Sequence, residues 1–197
     1  MVERQLRRRG IRDPRVLAAM ARVPREEFVS DGRRRDAYRD GAMAIGESQT
    51  ISQPWIVAFM AELLELRGSE LVLEVGAGSG YAAAVLSLLG AEVVTVERHE
   101  TLAKGARARL ERLGFTNVEV RCGDGTLGAP DRAPFDAITV TATAQDAPPQ
   151  PLLDQLAPGA ALVAPVRTEA GERLVRVRDG QTEPLSSVRF VPLIHGA

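Results

Sequence analysis

Cysteine, histidine, lysine and aromatic residues are all scarce in this 197-residue chain. One cysteine, Cys122, excludes an internal disulfide framework and a multi-cysteine zinc or iron–sulfur site. Two histidines, His99 and His195, leave too few ligands for a His-rich centre, so no metal is expected. Lys104 is the only lysine, which makes 24 of the 25 basic residues arginine. A genome-wide codon bias explains that skew better than a binding role does. Arg7–Arg8–Arg9 and Arg33–Arg34–Arg35 read as solvated faces, because Glu3, Asp13, Asp31 and Asp36 sit close by. Net charge is also nearly absent at −1, which argues against a nucleic-acid partner. No apolar run approaches the roughly 18 residues that span a bilayer. The basic opening MVERQLRRRG is not followed by the apolar core of a secretory leader. These features predict a cytoplasmic protein in a reducing compartment, with no membrane partner.

What is present is a 45% hydrophobic chain long enough for one core and one domain. Three textures divide it. Residues 1–45 read as a helical cap, in which Asp13-Pro14 is an N-cap followed by proline at N1. Val16, Leu17, Met20 and Val23 share one helical face, and Pro24–Phe28 starts a second short helix. Residues 46–70 hold a polar loop, GESQTISQP, then a helix striped by Ile56, Phe59, Met60, Leu63 and Leu64 and stopped by Gly68. From 71 to 197 strands and helices alternate. Strands are expected at 71–75, 93–97, 118–122, 135–142 and 161–166, and helices at 81–89, 102–113 and 151–156, the last stopped by Ala157-Pro158-Gly159. A hairpin pairs Glu172–Arg178 with Leu185–Val191 through Asp179-Gly180. The expectation is an α/β fold: a mostly parallel seven-stranded sheet with helices on both faces, an antiparallel C-terminal hairpin and an N-terminal helical cap.

The strongest constellation is LEVGAGSGY (73–81), a buried strand running into Gly76, Gly78 and Gly80 and then a helix. Glycines let the chain turn sharply and let a ligand approach the backbone. The spacing is GxGxG, not the GxGxxG of a diphosphate-binding turn. Glu74 would repel a pyrophosphate and suits a sulfonium or ammonium. Glu97 ends the second strand, where a carboxylate can accept two ribose hydroxyls. Asp124, in Gly123-Asp124-Gly125, can accept an adenine amino group. Singly, the glycines could be a tight turn, Glu97 a surface acid beside Arg98, and Asp124 a turn residue. Jointly, three acids on three strand tips describe a cation, a ribose and an adenine without phosphate, which S-adenosylmethionine fits.

VPREEFV (23–29), IGESQTISQP (45–54), LEVGAGSGY (73–81), VERH (96–99), GDG (123–125), PFDAITVTA (134–142) and VRFVPL (188–193) occur in that order. The series resembles the protein-L-isoaspartate O-methyltransferase family over nearly the whole chain. The glycine loop is generic to methyltransferases; the QTIS, VPREEFV and RFVPL segments are the specific ones. One departure is Gly46-Glu47-Ser48, where bacterial members often carry a second glycine just before QTIS. The tail after Leu193 is short. The resemblance implies a Rossmann-like class I methyltransferase. It would esterify the free α-carboxylate of isoaspartyl residues in damaged proteins and peptides, release S-adenosylhomocysteine and start repair through a succinimide. A monomer is expected.

The expected cofactor set is Gln49, Thr50, Ile51, Glu74, Gly76, Gly78, Ser79, Gly80, Glu97, Arg98, Asp124 and Gly125, with Gln49–Ile51 as a lid. Ser52 is the expected catalytic contact, its hydroxyl donating to the acceptor carboxylate; it can also serve as the N-cap of the following helix. An ionised acceptor needs no general base. Cys122 is expected to be a core thiol, His99 a neighbour of the ribose, Trp55 and Phe59 packing residues, and His195 part of a frayed end. A methyltransferase acting on RNA or a small molecule, and a nicotinamide-binding oxidoreductase or silent sensor, are the alternatives. The small, uncharged Thr141-Ala142-Thr143-Ala144 after the fourth strand disfavours a base-methylating enzyme.

Overall fold

The computed structural model describes residues 1–169 and 171–196. Helix α1 (Pro14–Arg22) starts as its sequence requires: the Asp13 carboxylate accepts from the Arg15 and Val16 amides, and Pro14 fills the first turn. Val16, Leu17, Met20 and Val23 are all buried. Arg25–Phe28 forms a short 3-10 turn. Strands β1 (Met43–Gly46) and β2 (Gln49–Ile51) then form an antiparallel hairpin, where the sequence pointed to a loop. Glu47 and Ser48 occupy its turn with φ of 49° and 56°. Helix α2 (Pro54–Leu63) follows and ends before Gly68 is reached.

The remaining elements are β3 (Leu71–Val75), α3 (Tyr81–Leu86), β4 (Glu92–Glu97), α4 (Glu100–Arg112), β5 (Val118–Cys122), β6 (Phe135–Val140), β7 (Ala144–Gln145), α5 (Gln150–Leu153), β8 (Leu156–Thr168), β9 (Gly171–Arg178) and β10 (Gln181–Ser187). The sheet order is β10-β9-β8-β6-β3-β4-β5, with the two-residue β7 beside β8. Seven strands make the main path, and β7 is an eighth that the sequence did not show. Strands β3, β4, β5, β6 and β8 run parallel; β9 and β10 are antiparallel additions. Consecutive strand residues feed opposite faces, as a two-residue period demands. Val72, Val93, Ala137 and Val163 join a core that includes Leu6 and Met20 of the cap. Leu73, Val94, Ile138 and Leu162 join the other, closed by Leu152 of α5.

Three sequence expectations need correction. Strand β8 begins at Leu156 and absorbs Ala157-Pro158-Gly159 instead of being preceded by it. Strand β10 ends at Ser187, so 188–191 is not strand; Val188 and Phe190 pack on the core without a ladder. Cys122 is exposed because β5 is the outermost strand and buries only Val120. The Asp179-Gly180 turn is as expected, with φ of 49° and 72°. Among the described residues, no helix is long and apolar enough to cross a membrane.

Candidate active site

Strand β3 pairs with β4 on one side and β6 on the other, so the chain reverses its direction of progress across the sheet at β3. The crevice beyond the carboxyl ends at such a switch point is where open α/β sheets bind ligands. A cavity opens there. Its floor is the turn after β3. Gly76 has φ of 97°, and a Cβ on it would collide with the Thr141 hydroxyl. That hydroxyl donates to Val75 O (3.0 Å) and Gly76 O (2.8 Å), tying the turn to the segment after β6. Gly76 N–H donates to Val96 O at 2.8 Å.

Glu97 is the acid that faces this cavity, although it is only 5% exposed. Its Oε2 accepts from Gly78 N–H (2.8 Å) and its Oε1 from His99 N–H (3.0 Å). Each carboxylate oxygen keeps a second lone-pair site, so two neighbouring hydroxyls can still be held. A diol fits this group, whereas a diphosphate would meet its negative charge. Of the predicted set, Gln49, Thr50, Ile51, Ser52, Gly76, Gly78, Ser79, Glu97, Arg98 and Gly125 all border the cavity.

Three predicted residues are placed elsewhere. Gly80 caps α3 behind the turn and packs toward Ala106 and Leu110. Glu74 is fully buried, accepting from the Thr95 hydroxyl at 2.6 Å, and does not border the cavity. Burial raises its carboxyl to about 8, although the Thr95 hydrogen bond works the other way. It lies between Thr95 and Thr139 across three strands, and among the described residues both its Oε1 and the Thr139 hydroxyl lack partners. Asp124 is already engaged by the chain itself. Its Oδ2 accepts from Gly196 N–H (2.7 Å), and its Oδ1 accepts from the Thr126 amide (2.9 Å) and hydroxyl (2.7 Å). Burial alone would raise its carboxyl, but these hydrogen bonds hold it below the ordinary value.

The tail that reaches Asp124 is the main element sequence reasoning missed. Val191–Ile194 border the cavity. Thr143 N–H donates to Val191 O (2.7 Å) and Leu193 N–H to Thr143 O (2.8 Å). His195 is not a frayed end: its Nδ1 lies 2.8 Å from the Thr126 hydroxyl and 3.3 Å from Asp124 Oδ2. Tyr81 and His99 also border the cavity. The apolar run in VRFVPL is the sequence signal for the tail, although its composition is that of a strand.

Ser52 does not cap α2; Gln53 holds that position, and no side chain caps the helix. Ser52 borders the cleft. A second depression, bordered by Arg9, Trp55, Phe190 and Arg189, adjoins the first, and Thr50, Ser52, Thr141 and Val191 border both. The Trp55 and Phe59 rings stack at 4.9 Å, and Arg9 lies 4.5 Å from the Trp55 ring centre.

The family model for protein-L-isoaspartate(D-aspartate) O-methyltransferase matches residues 1–197. A Pelobacter propionicus protein named protein-L-isoaspartate O-methyltransferase 2 is 58% identical over 98% of this chain and 88% of its own length. Among solved structures, a protein-L-isoaspartate O-methyltransferase superposes with a TM-score of 0.86 at 30% identity. It covers 98% of this chain, which spans 65% of that one. A Plasmodium falciparum β-aspartate methyltransferase, solved in complex with S-adenosyl-L-homocysteine, gives 0.83 at 25% identity, covering 98% and 96% of the two chains. The fold is that of the class I methyltransferases, and the chain belongs to the protein-L-isoaspartate(D-aspartate) O-methyltransferase family.

Proposed function

We infer that this chain transfers a methyl group from S-adenosylmethionine to the free α-carboxylate of L-isoaspartyl residues in proteins and peptides, which opens repair through a succinimide. The observation that carries this is the adjacency of two depressions sharing Thr50, Ser52, Thr141 and Val191. One is floored by the glycine turn and Glu97; the other is open and lined by Trp55 and Phe190. A donor in the first and a peptide in the second would meet at the shared wall.

S-adenosylmethionine, when bound, supplies a methyl group on a cationic sulfur. Gly76, Gly78 and Glu97 hold its adenosyl portion, and Gln49–Ile51 cover it. The Ser52 hydroxyl donates to the acceptor carboxylate and orients it. No residue has to remove a proton, because the acceptor is ionised near neutral pH. Catalysis is then positioning, which is worth as much as ~7–11 kcal/mol in well-oriented reactions. Glu74 does not touch the donor in this scheme, and Asp124 fastens the tail beside the site.

The 197 residues act as one domain: residues 1–45 roof the cleft, 46–70 bring the acceptor contact, and 71–197 hold the cofactor. The core shared by Leu6, Met20, Val72 and Val163 supports that unity. We take the chain to act as a monomer. A single cysteine suits the cytoplasm, and a net charge of −1 does not suit nucleic acid. The test is transfer of labelled methyl to an isoaspartyl peptide and none to the matched aspartyl peptide. Equal labelling of both, or of neither, overturns the assignment.

A further inference from the structure

Arg25 is a cation with 0% exposure, set in the short turn of the cap. Its Nε donates to Ala37 O at 2.8 Å and its Nη2 to Ser52 O at 2.7 Å. The guanidinium lies 4.6 Å from the ring centre of Tyr81, which borders the cofactor cavity. Its Nη1 is buried without a partner among the described residues. Burial works against its charge, and no carboxylate is among the groups that offset this. The neighbouring acids are committed elsewhere, Glu26 to the Tyr38 hydroxyl and Glu27 to Arg34 and Arg112. A buried cation with no counter-ion is costly, and holding two carbonyls needs no charge. Arg25 itself borders neither depression, so a negative group docking at the Ser52 wall accounts for the missing counter-ion through the field of the charge rather than by direct contact.

We propose that Arg25 is a positioning residue for the acceptor: its fork fixes the Ser52 peptide at the wall shared by the two depressions, and its charge favours a carboxylate docked there. This also joins the two most family-specific segments, VPREEFV and QTIS, in one contact. It rests on the carboxyl-methylation assignment above, which wild-type labelling of an isoaspartyl peptide tests separately.

The two roles have different kinetic signatures. The acceptor oxygen loses its negative charge as the methyl arrives, so the Arg25 charge helps peptide binding more than the chemical step. The grip on Ser52 governs alignment and appears in kcat. The measurement uses the whole chain saturated with S-adenosylhomocysteine. It is titrated calorimetrically with an isoaspartyl peptide and with the same peptide carrying an α-carboxamide. Wild type should prefer the carboxylate at least tenfold. Arg25→Met should drop that ratio below threefold while S-adenosylhomocysteine affinity stays within twofold. A purely structural role would weaken both peptides and the cofactor product together and leave the ratio intact. That result, or a wild type with no carboxylate preference, overturns the proposal. If Arg25→Met does not fold, Arg25→Lys decides. With its charge kept and its fork lost, it should retain the tenfold ratio and lose at least threefold in kcat. Wild-type kcat, or a lost ratio, in that variant overturns the proposal equally.

Discussion

The turn at 76–80 and the hairpin at 43–51 border one cleft but hold their shapes by different means. In the turn, Gly76, Gly78 and Gly80 adopt positive φ, and backbone hydrogen bonds to Val96 and Ala77 fix it between buried strands. In the hairpin, β1 and β2 pair only with each other, and the positive φ angles of the turn pair fall on Glu47 and Ser48. Left-handed backbone costs a glycine little and other residues about 1–2 kcal/mol each. The glycine turn is thus the rigid part of the cleft, and the hairpin, which carries Gln49–Ile51 and leads into Ser52, is the adjustable part. A cofactor that is the same at every turnover suits the first, and peptides of varied sequence suit the second.

Glu97→Ala should break the rigid side most. The carboxylate holds Gly78 and His99 amides as well as facing the cavity, so its loss leaves donors unmatched. Affinity for S-adenosylhomocysteine should fall by about 3 kcal/mol, roughly a hundredfold, in calorimetry. Intact affinity would mean that the backbone alone holds the turn and that the ribose is bound elsewhere.

Ser52→Ala addresses the other side. No hydroxyl cap is lost, because Gln53 occupies the cap position. Turnover on an isoaspartyl peptide should drop by about 2 kcal/mol, some thirtyfold, the scale of a hydrogen bond to a charged group. Cofactor-product affinity should stay within twofold. Unchanged turnover would leave Ser52 as mere backbone for Arg25 to hold.

Glu74→Gln asks whether the strand under the turn carries a charge at all. The folded-state carboxyl is raised by burial to about 8 from an ordinary 4.5. Between those values the folded chain keeps a proton that the unfolded chain has released. Stability therefore falls as pH rises through that window, by at most about 1.4 kcal/mol per pH unit. The glutamine variant lacks this slope. It should be near wild type at pH 5 and more stable at pH 8 by at least about 1 kcal/mol in urea melts. Parallel pH profiles would mean that Glu74 stays ionised beneath the turn.

What the sequence disclosed follows the same division. Strands β3, β4, β5 and β6, the Asp13-Pro14 start and the Asp179-Gly180 turn are local patterns, and they were readable because a period or a turn residue encodes each one. Glu74 misled because spacing places an acid at a strand tip, yet one residue of strand further back puts its side chain inside the core. Asp124 misled because nothing local to Gly123-Asp124-Gly125 shows that Gly196, 72 residues away, will take its carboxylate. The β1–β2 hairpin was hidden because its second strand is three residues long and mostly polar. The VRFVPL segment has the apolar content of a strand, but it pairs only at an isolated bridge of Pro192 with Thr143 and otherwise packs on the core and the cavity. Ser52 was found through resemblance, whereas the contact that pins it, from Arg25, exists only once the cap has folded.

The smallest expected effect is also the most direct comparison of the two sides. Ser48→Gly places a glycine in the hairpin turn at a φ of 56°. Relief of left-handed strain is partly offset by the added freedom of glycine in the unfolded chain, leaving a net gain of about 0.5 kcal/mol. A global melt is the wrong measure, because the hairpin can open without the sheet. Amide hydrogen exchange of Met43 and Ile51, whose residues face each other across the hairpin, reports that opening. Their protection should rise about twofold while Val94 and Ile138 in the sheet stay unchanged. If protection falls, the turn is held by its side chains and not merely tolerated. The acceptor side would then be as firmly built as the glycine turn.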